Sequence, residues 1–169
     1  MDQTGANAPT EPSDPTKPSD PTKPSDPTLP IAPADPALRI LALDDDPVNR
    51  SLIRAIVSRA SDPTVRGSTI HEATNLAEAR AVLATETVDI LLLDVHLPDG
   101  LGLDLAGELR RDGPGGPAIV ALTASVLPAD QQAALDAGCD AFLAKPYAAA
   151  ALVAIIAELS RARRDRTSP

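Results

Sequence analysis

From residue 38 onward the sequence alternates short apolar runs with longer segments in which apolar residues recur at helical spacing. The runs that are typical of strands lie near residues 39–43, 69–73, 90–93, 118–122 and 141–144. Strands and helices that take turns along a chain pack as a parallel sheet with helices on both faces, because the crossovers are right-handed. The pattern therefore predicts a doubly wound α/β domain with five parallel strands and five helices.

Capping residues mark the predicted helices. Asp46 precedes a proline, which predicts the N-cap and first turn of the first helix. The apolar residues of this helix, Val48, Leu52 and Ile56, are expected to be buried. Gly138 is predicted to follow the last turn of the fourth helix, because glycine is the residue that most often ends a helix in this way.

The first 36 residues differ in composition from the rest of the chain. They are rich in Pro, Asp, Thr and Ser, and the hexapeptide PSDPTK begins at positions 12 and 18 and returns at 24 with leucine in its last place. Such a segment has too little apolar surface to offset its ordering entropy, so residues 1–36 are predicted to be a disordered, Pro-rich spacer. Residues 37–161 are predicted to form the domain, and residues 162–169 a basic C-terminal tail.

The net charge restricts the partners of the chain. Its 24 acidic and 15 basic residues give a net charge of -9, which disfavours attraction to nucleic acid or to an anionic membrane. No apolar run reaches membrane-spanning length, no secretory signal is present, and the single cysteine, Cys139, excludes an internal disulfide. We therefore expect a cytoplasmic protein that binds no nucleic acid and inserts in no membrane.

Side chains suited to chemistry occur where the predicted strands end. Asp44 and Asp45 follow the first strand, Asp94 the third, Thr123 the fourth and Lys145 the fifth. In a flavodoxin-like sheet, with strand order 2-1-3-4-5, the first and third strands are neighbours at the switch point where ligands bind. The three carboxylates are then expected to converge, and close carboxylates repel one another unless a cation lies between them. Ligands of this type favour Mg²⁺.

Four segments resemble the motifs of one family, the two-component response-regulator receiver domain, and the resemblance extends over residues 38–160. The segments are ILALDDDPVN at 40–49, ILLLDVHLPDG at 90–100, ALTAS at 121–125 and FLAKP at 142–146. They are similar, in that order, to the family's acidic pair, its phosphoacceptor strand and loop, its phosphoryl-binding hydroxyl, and its switch aromatic with a lysine. Four short matches in the family's order are far more specific than any one of them.

The resemblance implies which residues hold the phosphoryl group and the metal ion. Asp94 is implied to be the phosphoacceptor, and Mg²⁺ is implied to bind Asp44, Asp45, Asp94 and the backbone carbonyl of His96. Phosphoryl transfer needs positioning and charge neutralisation more than covalent help from the protein, which suits such a site. Asp99, which precedes a glycine in the acceptor loop, is interpreted as a turn residue.

The resemblance also implies partners and a switch. Lys145 and Thr123 are implied to contact the phosphoryl oxygens, and Thr123 and Phe142 to form a two-position switch. The expected donor is a histidine kinase or a histidine phosphotransfer protein. The expected downstream protein binds the face formed by the fourth helix, the fifth strand and the fifth helix. Such a domain is not an enzyme, since it promotes only its own phosphoryl transfer and dephosphorylation.

Two other functions remain open at this point. A haloacid dehalogenase-like phosphatase also uses a strand-end aspartate, Mg²⁺ and a lysine. Its motif is Asp-x-Asp, whereas the position two beyond Asp94 is His96, which is not an acid. A receiver-fold module that regulates its partner by docking alone would not need Asp94, Thr123 and Lys145 together. Steady turnover of a phosphate ester would favour the phosphatase. Failure of acetyl phosphate to label the protein would favour the docking module.

Overall fold

The computed structural model describes residues 37–113 and 115–167, whose main feature is a five-stranded parallel sheet. The strands of this part are β1 (Arg39–Leu43), β2 (Thr69–Ala73), β3 (Ile90–Asp94), β4 (His96–Leu97), β5 (Gly100–Leu101), β6 (Ala118–Thr123) and β7 (Ala141–Ala144). The sheet has the order β2-β1-β3-β6-β7, and β4 pairs with β5 as a separate antiparallel hairpin. The predicted flavodoxin-like order 2-1-3-4-5 is therefore confirmed, with β6 and β7 as its fourth and fifth strands.

The described residues form six helices, one more than predicted. They are α1 (Pro47–Ser58), α2 (Pro63–Arg66), α3 (Leu76–Thr85), α4 (Gly102–Arg111), α5 (Pro128–Asp136) and α6 (Ala149–Thr167). The additional helix, α2, is a single turn capped by Asp62, whose Oδ1 accepts hydrogen bonds from Thr64 N at 2.9 Å and Val65 N at 3.2 Å. The prediction of five helices was wrong because a turn this short has no apolar periodicity to reveal it.

Two apolar layers cover the opposite faces of the sheet. Helices α1, α2 and α6 pack on one face, and α3, α4 and α5 pack on the other. Within β3, Ile90 and Leu92 face the first layer while Leu91 and Leu93 face the second, and all four are fully buried. Continuous burial of this kind is expected for a central strand of a parallel sheet, since helices cover both of its faces.

Helix α1 buries a different set of residues from the predicted one. Ile53, Ile56 and Val57 are buried, whereas Val48 is 70% exposed and Leu52 is 48% exposed. Residues three and four apart lie on one side of a helix, so the side that carries residues 53, 56 and 57 faces the sheet. The expectation that Val48 and Leu52 are buried was wrong, and two large apolar side chains remain on the surface.

The capping predictions agree with the structure. Asp46 caps α1 by accepting a hydrogen bond from Val48 N at 2.8 Å. Gly138 follows α5 with a φ of +97°, a left-handed conformation that glycine adopts without strain. The Gly138 amide donates to the carbonyl of Leu135, and the amide of the next residue donates to that of Ala134. This pair of hydrogen bonds satisfies carbonyls at the end of α5.

Helix α6 continues through most of the segment predicted as a basic tail and reaches Thr167. Arg161 pairs with Asp62 at 3.0 Å, and Arg163 donates to the carbonyl of Gly116 at 2.5 Å, so this part of the helix is held against the domain. The predicted spacer, residues 1–36, lies outside the described residues, as do residues 168–169. In the part of the chain that the structure describes, no helix is long and apolar enough to cross a membrane.

Candidate phosphoacceptor site

The residues singled out at the strand ends lie at one edge of the sheet. Within the paired strands β1 and β3, Leu43 lies opposite Leu93, so Asp44 and Asp94 follow directly from paired positions. The other neighbour of β3 is β6, which ends at Thr123. Ligands of open α/β sheets bind at this edge, at the point where the strand order reverses.

Three carboxylates form a cluster here. Asp44, Asp45 and Asp94 each offer an oxygen, and these oxygens all lie within 4.8 Å of one another. The cluster runs from the interior to the surface, since Asp44 is fully buried, the Asp94 side chain is 14% exposed and Asp45 is exposed. The predicted convergence of these three residues is therefore observed, and the exposed Asp45 marks the side of the cluster that faces solvent.

Lys145 lies between two of the carboxylates. Its Nζ donates hydrogen bonds to Asp44 Oδ2 and to Asp94 Oδ2, both at 2.7 Å, and the side chain is only 18% exposed. Burial alone would lower the pKa of Lys145, but the hydrogen bonds and charges of the two aspartates outweigh it and raise the pKa above its ordinary value. The ammonium group is therefore charged at neutral pH and offsets part of the negative charge of the cluster.

The charges and ligand atoms of the site fit a divalent cation. Three carboxylates and one ammonium group leave two negative charges, which is the charge that Mg²⁺ neutralises. Carboxylate oxygens are the ligands that Mg²⁺ prefers, and Asp45 provides one at the exposed side. The cluster of Asp44, Asp45 and Asp94 could therefore hold a metal ion, and its oxygen atoms fit the ion that the sequence predicted.

The loop after Asp94 is hydrogen-bonded to the Asp94 carboxylate. The His96 amide donates to Asp94 Oδ1 at 3.0 Å, and His96 itself is exposed at the start of the β4–β5 hairpin. Both oxygens of Asp94 thus have a hydrogen-bond donor, His96 N on Oδ1 and Lys145 Nζ on Oδ2. The role of the His96 carbonyl as a metal ligand stays a prediction.

Thr123 and Phe142 lie on the same face of the sheet. In the pairing of β6 with β7, Phe142 lies opposite Ala121, and alternate residues of a strand share a face, so Thr123 and Phe142 are diagonal neighbours. Thr123 is buried and its Oγ1 accepts a hydrogen bond from Ser125 N at 3.0 Å. The Phe142 ring is half-buried against the layer of α3, α4 and α5. Thr123 and Phe142 are therefore close enough for a change at one to affect the other, as the predicted switch requires.

Residues 40–157 match the family model described as the response regulator receiver domain. The chain belongs to this family. The match includes the acidic cluster, Thr123, Phe142 and Lys145, and it ends within α6.

Curated relatives of this receiver domain include sensors and response regulators. The aerobic respiration control sensor protein ArcB of Escherichia coli is 34% identical over 135 residues, which are 79% of this chain and 16% of ArcB. Response regulator MprA of Mycobacterium leprae is 37% identical over 132 residues, which are 78% of this chain and 53% of MprA. The chain thus spans about half the length of MprA and a small part of ArcB.

Solved receiver domains have the same fold. A CheY-like receiver domain protein from Methanospirillum hungatei is 26% identical, with a TM-score of 0.65 over 76% of this chain and 98% of that one. A response regulator protein from Burkholderia pseudomallei is 25% identical, with a TM-score of 0.61 over 77% of this chain and 73% of that one. Its structure is described with a phosphorylated aspartic acid, a calcium ion and citrate.

Two residues around the acidic cluster of the receiver domain were missed by sequence reasoning. Asn49 Nδ2 donates to Asp44 Oδ1 at 3.2 Å, and Arg50 Nη1 donates to the carbonyl of Asp44 at 2.7 Å. The amide of Asp46 also donates to Asp44 Oδ1, at 2.9 Å. A buried carboxylate needs such partners, and the first turn of the next helix is the nearest source of them, so this signal was available.

Proposed function

We propose that this receiver domain accepts a phosphoryl group from a phosphohistidine onto Asp94, with Mg²⁺ bound by Asp44, Asp45 and Asp94. The observation that carries the proposal is the geometry around Asp94: a mostly buried carboxylate that lies within hydrogen-bond reach of a charged lysine and within 4.8 Å of two further carboxylates. This arrangement concentrates the charges that phosphoryl transfer requires at one side chain.

In the proposed transfer one bond forms at Asp94 and one bond breaks at the donor histidine. An oxygen of Asp94 forms a bond to phosphorus while the phosphorus–nitrogen bond of the donor histidine breaks, and the imidazole nitrogen keeps the electron pair. Lys145 Nζ then exchanges an aspartate oxygen for a phosphoryl oxygen, and the Thr123 hydroxyl donates its hydrogen to another phosphoryl oxygen. Mg²⁺ supplies neutralisation of the negative charge on those oxygens.

Two of the relatives support the proposal that an aspartate is the acceptor and that a phosphohistidine is the donor. The Burkholderia pseudomallei protein is described with a phosphorylated aspartic acid and a calcium ion, another divalent cation that prefers oxygen ligands. ArcB is described as a sensor protein, and the match of this chain to it fits a pathway in which a sensor's phosphohistidine is the donor. The proposed donor is therefore a histidine kinase or a histidine phosphotransfer protein, in the cytoplasm.

Exposed apolar residues border the site and fit a docking role for the donor. A donor histidine has to reach Asp94, so its protein has to bind a surface next to the acidic cluster. Val48 lies in the first turn of α1, directly after the acidic turn, and is 70% exposed; Leu52, one helical turn later, is 48% exposed. They are four residues apart and so lie on one side of α1, and adjoining exposed apolar side chains are a feature of protein interaction surfaces. We propose that they contact the phosphodonor.

The proposed output surface is the face formed by α5, β7 and α6. Helix α5 and the turn before it carry the exposed apolar residues Val126, Leu127 and Leu135. When the Thr123 hydroxyl turns to a phosphoryl oxygen, it leaves space into which the Phe142 ring moves, and this movement changes the shape of the face. The change in partner affinity is limited by the difference in interactions between the two states, about 1 to 3 kcal/mol.

The switch is tested with Thr123→Ala. This variant should still accept a phosphoryl group, because Asp94 and Lys145 are intact, but phosphorylation should change its affinity for the downstream protein by less than about twofold. Titration of phosphorylated and unphosphorylated protein against that partner measures the difference. The full change of affinity in Thr123→Ala would show that this hydroxyl is not the trigger.

The acceptor role is tested by intact-mass spectrometry after incubation with acetyl phosphate and Mg²⁺. The unaltered protein should gain one hydroxylamine-sensitive phosphoryl group, and Asp94→Asn should gain none, because an amide cannot form an acyl phosphate. Asp104→Asn, a change at an exposed aspartate of α4, is the matched control and should be labelled normally. Undiminished labelling of Asp94→Asn would exclude Asp94 as the acceptor.

A phosphatase that turns over small esters is not favoured by the site. Its Asp-x-Asp motif would have a second aspartate two residues beyond Asp94, and that position is the exposed His96. The proposed domain therefore promotes only its own phosphoryl transfer and dephosphorylation. Rapid, steady hydrolysis of p-nitrophenyl phosphate would favour the phosphatase instead, whereas a receiver domain should release phosphate no faster than its own acyl phosphate decays.

A further inference from the structure

Asp99 makes contacts that a simple turn residue does not need. Its Oδ1 accepts a hydrogen bond from Leu76 N at 2.9 Å, and its Oδ2 accepts one from Ala77 N at 3.1 Å. These two amides are the first of helix α3, so a carboxylate from the acceptor loop caps a helix 22 or 23 residues away in sequence. The hydrogen bond from Leu76, with that from Ala77, lowers the pKa of Asp99, which keeps the cap charged.

The helix that Asp99 caps is firmly held in the domain. Leu76 is buried in the core, and Arg80 binds both carboxylate oxygens of Glu108 on α4, at 3.0 and 2.9 Å. The helix also has a cap from its own segment, because Asn75 Oδ1 accepts a hydrogen bond from the amide of Glu78 at 2.9 Å. Helix α3 is therefore a fixed support to which a neighbouring loop can be attached.

The loop that Asp99 holds leads directly to the acceptor. In the β4–β5 hairpin His96 pairs with Leu101, and the Gly102 amide donates to the carbonyl of Val95 at 2.9 Å. At the start of the hairpin, the His96 amide also donates a hydrogen bond to Asp94 Oδ1. A shift of the hairpin would therefore move a donor that orients the acceptor carboxylate.

The tip of the hairpin lies close against α3. Gly100 has a φ of +149°, which side chains rarely adopt, and a Cβ atom there would lie 3.0 Å from Leu76 Cδ1. The base of the hairpin lies close against the end of β3, because a Cβ atom at Gly102 would lie 2.1 Å from the carbonyl oxygen of Asp94. The hairpin is thus fitted between α3 and β3, and the carboxylate of Asp99 is its polar attachment to α3.

We propose that Asp99 is a positioning residue, which attaches the hairpin of residues 96–101 to α3 and thereby fixes the orientation of the Asp94 carboxylate. The proposal deepens the proposed function, on which its consequence for phosphorylation rests. Its structural part, the attachment of the hairpin, is measured separately and does not depend on that function.

The experiment compares Asp99→Ala with Asn75→Ala. Both variants remove side-chain caps from the same end of α3, so both should lower the melting temperature by a few degrees. Only Asp99→Ala releases the hairpin. Its Gly102 amide should exchange with solvent about tenfold faster than in the unaltered protein, while that of Asn75→Ala should change little. The amide of Leu92 in β3 is the internal reference.

The second readout is the initial rate of labelling by acetyl phosphate and Mg²⁺. Asp99→Ala should be labelled several-fold more slowly, Asn75→Ala at the unaltered rate, and Asp99→Asn, which keeps one acceptor oxygen, in between. If Asp99→Ala matches Asn75→Ala in both exchange and labelling, Asp99 is only a helix cap and the proposal is overturned. If Asp99→Ala fails to fold, the same comparison is made with Asp99→Asn. If no protein is labelled, the proposed function fails, and the exchange data alone decide the attachment.

Discussion

The two ends of the β-sheet carry charged side chains in opposite ways. At the amino-terminal end each of two carboxylates is matched: Asp140 accepts from Arg110 at 2.6 Å and from the Ile119 amide at 2.7 Å, and Asp89 pairs with Arg39. At the carboxyl end three carboxylates cluster, and a single lysine pairs with two of them. Matched charges stabilise a fold, whereas crowded like charges cost stability and are retained where a cation or a phosphoryl group is bound. The comparison separates a structural end of the domain from a functional one.

The largest stability effect is expected at the matched end. Asp140→Ala leaves the buried Ile119 amide without this acceptor and removes the carboxylate partner of Arg110, which keeps its hydrogen bonds to the carbonyls of Gly138 and Pro117. The free energy of unfolding should fall by about 2 kcal/mol. Asp140→Asn, which keeps an acceptor for the amide, should lose less. Denaturant titration measures both. Phosphorylation of the folded Asp140 variants should proceed at the unaltered rate. A slower rate would show that the amino-terminal end also affects the site at the carboxyl end.

A smaller effect of opposite sign is expected at the crowded end. With Mg²⁺ at about ten times its dissociation constant, the unaltered protein should gain about 1.4 kcal/mol of stability. Asp45→Asn should remove most of this gain, yet without Mg²⁺ it should be at least as stable as the unaltered protein, because Asp45 is exposed and its loss relieves repulsion. Thermal melts with and without Mg²⁺ test this. A stability indifferent to Mg²⁺ would contradict the metal site.

The smallest effect concerns alkaline pH. Burial raises the pKa of the Cys139 thiol from 9.0 to about 11, so the native state holds this proton more tightly than the unfolded chain does. The stabilisation is complete below pH 9.0 and is lost as the pH rises through about 11. Cys139→Ala should therefore reduce the loss of stability between about pH 8 and about pH 10 by about 1.3 kcal/mol. An unchanged pH profile would show that the thiol titrates normally.

The sequence predicted the strands better than the contacts between elements. The bounds of β1, β2 and β7 match the predicted ones, because apolar runs between polar residues mark buried strands directly. The convergence of Asp44 with Asp94 followed from strand order alone. The partners of Asp44, among them Asn49, depend on how α1 turns against the sheet, and the attachment of Asp99 to α3 joins distant parts of the chain. Such contacts arise from tertiary packing, which a local pattern does not reveal.

The central claim is tested most directly by locating the phosphoryl group. After incubation with acetyl phosphate and Mg²⁺, borohydride reduces an acyl phosphate to an alcohol, which converts the modified aspartate to homoserine. Peptide mass spectrometry should then find homoserine at position 94 and unmodified aspartate at Asp44 and Asp45. Homoserine at either of those positions, or at none of the three in labelled protein, would contradict the account.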